Sequence, residues 1–330
     1  MTLVRGEQYA VGVAVEATPG SFAAAQDYIR TREPANIQTV VEKVDIKETK
    51  ATGVASQGQV VTMKKVEGDM ALNLRFRTIG YFVKSLLGTL NSATEAGETV
   101  IYRHTGLLNT DITQPTLSLS LARGDFDHKQ VAGAIVSKLA LSFPVDDLIN
   151  GSVSVKGLSE VTTTDFTAAY SDNDYLAPHQ MVTLKIADNV AGLGAATAID
   201  VTDLSIEIDR GTREKLSISA DTPVGFIAKL LSISGSFTMD KTADTYRDLA
   251  IANTSKALQI SVINTAEAIG VGSNPELTFI LPNVTFTTSE TRPLDDVVTE
   301  EINFMAHYDD TEAKAISVSL VNEKANYNAA

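Results

Sequence analysis

The sequence predicts a mainly β fold of two tandem β-sandwich or barrel units, each flanked by one α-helix. Three observations carry that expectation. Apolar and polar residues alternate over many short stretches, helical spacing is confined to two segments, and several motifs recur in the same order.

Taken in order, residues 1–34 read as an N-terminal arm outside both units. The first unit, 35–170, opens on a strand near Ile37 and passes into a long polar loop, "KVDIKETKATGVASQGQVVTMKK". In "DMALNLRFR", Met70, Leu72, Leu74 and Phe76 share one face, as half-buried strands require. "TIGYFVKSLLGTL" then spaces Ile79, Phe82, Val83, Leu86, Leu87 and Leu90 by threes and fours, which predicts an amphipathic helix with one apolar stripe. "TLSLSLA", "SKLALSF" and "SVSV" return to alternation.

A polar, turn-rich stretch, "TTTDFTAAYSDNDYLAPHQM", leads into the second unit, 171–330. Its strands are "SGSFTMD", "ALQISV", "EINFMAHY" and "AISVSLV", with a weaker helix in "TADTYRDLAIAN" and a short tail, "NEKANYNAA".

The repeat is read from spacing. Gly68 and Gly235 lie 167 residues apart, and the same offset sets Ile37 on Leu204, Val41 on Ile208, Met70 on Phe237 and Leu72 on Met239. An offset of 149 sets "PVDDLI" on "PLDDVV", pairing Pro144, Asp146 and Asp147 with Pro293, Asp295 and Asp296. The difference predicts an excursion in the first copy around "LNSATEAGETVIYRHTGLLNTD". Proline sets each turn and the paired carboxylates stay solvated at its tip.

The net charge of −14 disfavours a partner held by phosphate neutralisation. No apolar run reaches the 18 or so residues of a membrane span, and the N-terminus shows no basic-then-apolar leader. With no cysteine there are no disulfides or thiolate sites. His104, His128, His179 and His307 form no HxH or HExxH pair, so "GDFDHK" (Asp125, Asp127, His128) and "HYDD" (His307, Asp309, Asp310) read as solvated turns rather than metal sites. "GLGAATA" and "GVGSNP" lack the strand-to-helix context of a phosphate loop, and no GxSxG is present. The expectation is a protein that is not an enzyme, with no cofactor and no metal. A carbohydrate-active β-scaffold would need facing carboxylates and aromatics, and this chain has no tryptophan.

Over nearly its whole length the chain resembles the major tail tube proteins of long, non-contractile tailed bacteriophages. The resemblance lies in the opening "VGVAVEATPGSFAAAQDYIRT", in "VEGDMALNLRFRTIGYFVKSLLGTL" and "VAGAIVSKLALSFPVDDLINGSVSVKGLSE", and in "VTDLSIEIDRGTREKL", "SGSFTMD", "LTFILPNVTF" and "ISVSLVN" in order. It implies a virion protein of the phage tail, assembled in the host cytoplasm, whose units pair edge to edge into stacked rings around a lumen for DNA. Its partners would be itself, tail proteins at the tube ends and a tape-measure protein, with DNA passing unbound and no membrane anchor. Two units per chain would give a pseudo-sixfold ring of three subunits; six is the alternative.

Inter-subunit or inter-ring contact is then expected at Lys47, Lys50, Gly53, Gly58, Lys64 and Lys65 in the first loop. In the second it is expected at Arg210, Arg213, Lys215 and Lys229, with the arm and tail as further candidates. A capsid-decoration or surface-adhesion β-module shares the strands and acidity but predicts no stacking rings.

Overall fold

A computed structural model of the chain describes residues 8–48, 56–124, 127–163, 166–294 and 297–329, with backbone alone for 288–294. The first half contains β1 (Tyr9–Val15), β2 (Asp27–Ile29), β3 (Asn36–Asp45), β4 (Gln59–Asn73), α1 (Ile79–Leu87), β5 (Gly88–Thr94), β6 (Tyr102–Leu108), β7 (Leu117–Arg123), β8 (Asp127–Pro144), β9 (Asn150–Gly157) and β10 (Ser159–Thr162). The second contains β11 (Val182–Ala187), β12 (Ala198–Ile199), β13 (Asp203–Asp209), β14 (Thr212–Lys215), β15 (Gly225–Ala228), β16 (Ser232–Asp240), α2 (Thr245–Ala252), β17 (Lys256–Ile263), β18 (Glu276–Leu294), β19 (Val297–His307) and β20 (Ser317–Asn322).

One antiparallel layer runs β3-β4-β9-β8-β13-β16-β19-β18 and crosses both halves. Over it lie β2-β1-β7-β8-β10 in the first half and β12-β11-β17-β18-β20-β6-β5 in the second. β8 and β18 are long enough to serve both layers. Each changes layer at a bulge, where the register steps from Val136 to Lys138 against β9 and from Phe286 to Thr288 against β19. A bulge adds one residue and bends the strand, which is what moving between packed sheets needs.

The pairings of the two halves match. β1 lies beside β2 and β7 as β11 lies beside β12 and β17. β4 sits between β3 and β9 as β16 sits between β13 and β19. The register corrects one detail of the sequence alignment. Gly68 faces Ile37 and Val155, and Gly235 faces Ile206 and Phe304. Ile37 therefore corresponds to Ile206, two residues beyond Leu204. Period-two alternation fits either register, so only the cross-strand partner decides.

Three further expectations are corrected. The stretch read as an arm is packed within its described part: β1 pairs with β7 over seven residues, and Val11, Val13 and Ala14 are fully buried. The first loop is largely a hairpin, with β3 and β4 extending to Asp45 and Gln59. Helix α1 is buried on nearly every side, leaving Lys84 as its one less buried residue. It stops at Gly88, whose φ of 94° breaks the helix, so Leu90 falls on β5. The hairpin β5–β6, the excursion expected in the first copy, covers α1 and joins β20. By contrast α2 has no buried residue, and only Tyr246, Leu249 and Ala250 pack against the core.

Gly68 and Gly235 stand inside β4 and β16, where a Cβ would lie 1.9 Å from Asn36 O and 2.3 Å from Ser205 O. Gly68→Ala is therefore expected to destabilise the chain by about 1–3 kcal/mol in urea unfolding, because the neighbouring atom is backbone and cannot turn away.

Candidate assembly interface

The eight-stranded layer ends in two edges that are unpaired among the described residues. One is β3, which pairs with β4 alone, and the other is β18 beyond its bulge, which pairs with β19 alone. A long flat edge is a template for another strand, and natural monomers cover or charge it.

One face of this layer packs on the core through Ile37, Met70, Val153, Leu141, Ile206, Phe237 and Phe304. By alternation the other face is open and polar. It carries Ser142, Ser152, Ser154, Ser205, Ser232, Ser234 and Ser236. Its charges are Glu67, Asp69, Asp203, Glu207, Asp240 and Glu301 against Lys65, Lys138 and Lys156, so carboxylates dominate. Lys138 Nζ reaches Glu207 at 2.8 Å, and Ser154 donates to Asp69 at 2.6 Å. Near the β3 edge the face is dished into an open depression of about 330 Å³ lined by Gln38, Val40, Glu67, Asp69, Ser154 and Lys156.

The two loops expected at interfaces meet within one chain. Lys64 pairs with Asp221 at 2.9 Å, and Lys65 reaches Glu42 at 2.6 Å and Glu214 at 3.1 Å. Hydrogen bonds to Glu42 and Glu214 raise the Lys65 pKa. Burial opposes the charge on Glu214, but Lys65 and Lys156 outweigh it and hold the carboxyl below its usual value. Lys47, Gly58, Arg213, Lys215 and Lys229 are exposed. Lys50 and Gly53 lie outside the described residues. The outer hairpin also exposes Val41, Val44, Val60 and Val61, and the β14–β15 side exposes Leu216, Ile218 and Leu230.

Arg210 departs from the expectation of a surface loop. It is buried, and its guanidinium donates to Leu86 O at 2.9 Å, Asn109 O at 2.7 Å and Asp111 O at 3.0 Å. It thus caps the C-terminal end of α1 with a positive charge. Asp174 acts at the other end, accepting the amides of Arg77 at 3.1 Å and Thr78 at 3.3 Å. Negative charge at the start and positive at the finish both suit the helix dipole. Both residues come from the second half, so α1 is held at each end across the join. Burial nonetheless raises the Asp174 pKa.

The C-terminal tail, a candidate for inter-ring contact, packs back onto the chain at Tyr327. Tyr327 is fully buried with its ring 5.1 Å from that of Tyr81 and 4.9 Å from that of His104, both edge-on. Beside it Asp27 accepts from Arg77 at 2.8 Å, Tyr81 at 2.6 Å and Lys324 at 2.7 Å. Burial opposes its charge, but these donors win and lower its pKa. His104 lies between Ser92 and Asn322, and burial pushes its pKa down to about 4. Glu16, in the N-terminal motif, is buried and accepts from Thr116, Ser118 and the amides of Gly20 and Gly133. Sequence reading missed Asp27 and Asp174, single acidic residues without a local motif.

"PVDDLI" lies at the tip of the β8–β9 hairpin, and the described residues of "PLDDVV" end β18 and begin β19. Asp146 is exposed at φ 65°, and Asp147 takes the amide of Leu148 at 2.7 Å. Pro293 faces Val298 in the ladder, while Asp295 and Asp296 lie outside the described residues. His307 meets Thr285 at 2.7 Å, and Asp309 accepts the amides of Thr311 and Glu312, an ordinary turn. Among the described residues no three His, Asp or Glu side chains gather as a metal site, and no helix is long and apolar enough to cross a membrane.

A family model described as phage tail tube protein matches residues 6–306. No curated protein matches the chain.

Two outcomes are expected of this arrangement. Arg210→Met removes a charged donor from three carbonyls and is expected to cost about 2–3 kcal/mol in urea unfolding. His104 resists protonation when folded, so the unfolded chain binds more protons between its ordinary value near 6.5 and about 4. Its stabilising contribution is complete above pH 6.5, falls as pH drops towards 4, and totals about 3 kcal/mol. Thermal melts across pH 7 to 4, compared with His104→Gln, should show a shallower decline in the variant.

Proposed function

The chain belongs to the phage tail tube protein family, structural proteins of the virion tail, and on that premise we propose that it self-assembles into stacked rings whose bore conducts DNA during ejection. The observation that supports this most is the eight-stranded layer with a free edge at each end. Closing such edges on other copies removes the aggregation hazard and gives a ring.

In this reading the chain is two tube-type units in tandem, 35–170 and 171–330, with the β1–β2 segment completing the first. The matching pairings and bulges support a duplication. Three chains then give a pseudo-sixfold ring. The open serine-rich, acidic face lines the bore, where it repels the phosphate backbone and offers few cations to grip it. The exposed Val44, Val60 and Val61 of the β3–β4 hairpin and the apolar side chains near β14–β15 meet the adjacent ring. Tail proteins at the tube ends and a tape-measure protein are the further partners, and no catalytic role is assigned.

Negative-stain electron microscopy across a concentration series, with mass determination of any ring, tests the proposal. Stacked rings with a central hole and a mass of three chains are expected. A ring of six chains would overturn the pseudo-sixfold count, and compact oligomers without a channel would overturn the tube in favour of a decoration module.

A further inference from the structure

We propose that the joint between neighbouring chains repeats the internal β8–β13 joint residue for residue, the partner being a second copy of this chain. The inference rests on the ring reading and gives that ring a register. Inside the chain, Lys138–Pro144 pairs with Asp203–Asp209 over seven residues, Ile206 facing Leu141 and Glu207 facing Ala140. β8 is free to make this joint because it has passed its bulge and left β7 and β10 behind.

Among the described residues, the counterparts of these two elements stand unpaired at the ends of the layer. The glycine partners equate β3 with β13, Ile37 taking the place of Ile206. The bulges equate β18 with β8, since Val136 and Phe286 face the corresponding residues Val155 and Phe304. Carrying the internal register across these equivalences sets Ile37 of one chain opposite Thr291 of the next. Gln38 then faces Glu290, and Thr39 faces Ser289. Ala35 falls opposite Pro293, which has no N–H to give, so the ladder weakens at that end.

The copied joint carries different side chains from the original, and the sharpest change is at Arg210. The residue corresponding to Arg210 is Val41, and the helix end it meets is that of α2. Val41 is 41% exposed and Ile251 in α2 is 72% exposed, so each chain presents an apolar residue where the other has one to cover. The internal joint is thus locked by a buried charge on three carbonyls, and the joint between chains closes on apolar contact and main-chain bonds.

The chain has no cysteine, so paired substitutions report the register directly. In oxidised rings, Gln38→Cys with Glu290→Cys should link chains into covalent multimers. Residues directly opposite in an antiparallel pair have Cα atoms about 4.5–5.5 Å apart, within disulfide reach. Gln38→Cys with Arg292→Cys, displaced by two, should link at least about tenfold more slowly, since diagonal neighbours lie about 7–8 Å apart. Rings in which the displaced pair links as fast or faster would overturn the register and leave the ring standing. Wild-type protein that forms no ring, with neither pair linking, would overturn both. Val41→Asp should keep the wild-type circular dichroism and melting while losing rings; rings at wild-type concentration would overturn the α2 contact.

Discussion

The seven-residue pairing of β8 with β13 is the constraint on which the rest of the molecule depends. It makes one layer of two halves, fixes which face is open, and determines that the layer must end on β3 and β18. Every pair in the layer is antiparallel, and the core beneath it is one cluster shared by both halves. Bulges make this possible. Without the extra residue after Val136, β8 could not leave one sheet and present its other edge to β13.

Helix α1 shows how the join is held. Asp174 accepts the amides of Arg77 and Thr78 just ahead of it and Arg210 donates to Leu86 O at its far end, both contributed by the second half. The tail returns from the end of the chain to bury Tyr327 against the same helix. Hydrogen bonds to a buried charge are among the stronger single contacts, and leaving their partners unsatisfied costs more than the bond itself contributes. Helix α2 occupies the matching place in the second half with none of these attachments and no buried residue.

The candidate segments were legible only in part. The stretch carrying Lys64 and Lys65 reads as a polar loop because it interrupts alternation, and only the pairing of β3 with β4 makes most of it a hairpin. "PVDDLI" was legible as a turn, and it forms the tip of the β8–β9 hairpin. Arg210 was misread because a charged residue in "DRGTREK" looks solvated, and only the carbonyls of Leu86, Asn109 and Asp111, more than ninety residues away, make it a buried cap. Ile37 was matched two residues short, because alternation has period two and cannot detect a slip of two.

By itself the sequence determined the mainly β character, the two helical segments, the acidity and the family, since these follow from local periodicity, charge and the order of motifs. The tertiary structure decided which edges stay open, which face is polar, and which charges are buried. Those depend on partners far apart in the chain: a strand's edge is free only by virtue of what fails to reach it, and a lone carboxylate such as Asp174 becomes a helix cap only when folding brings the helix to it.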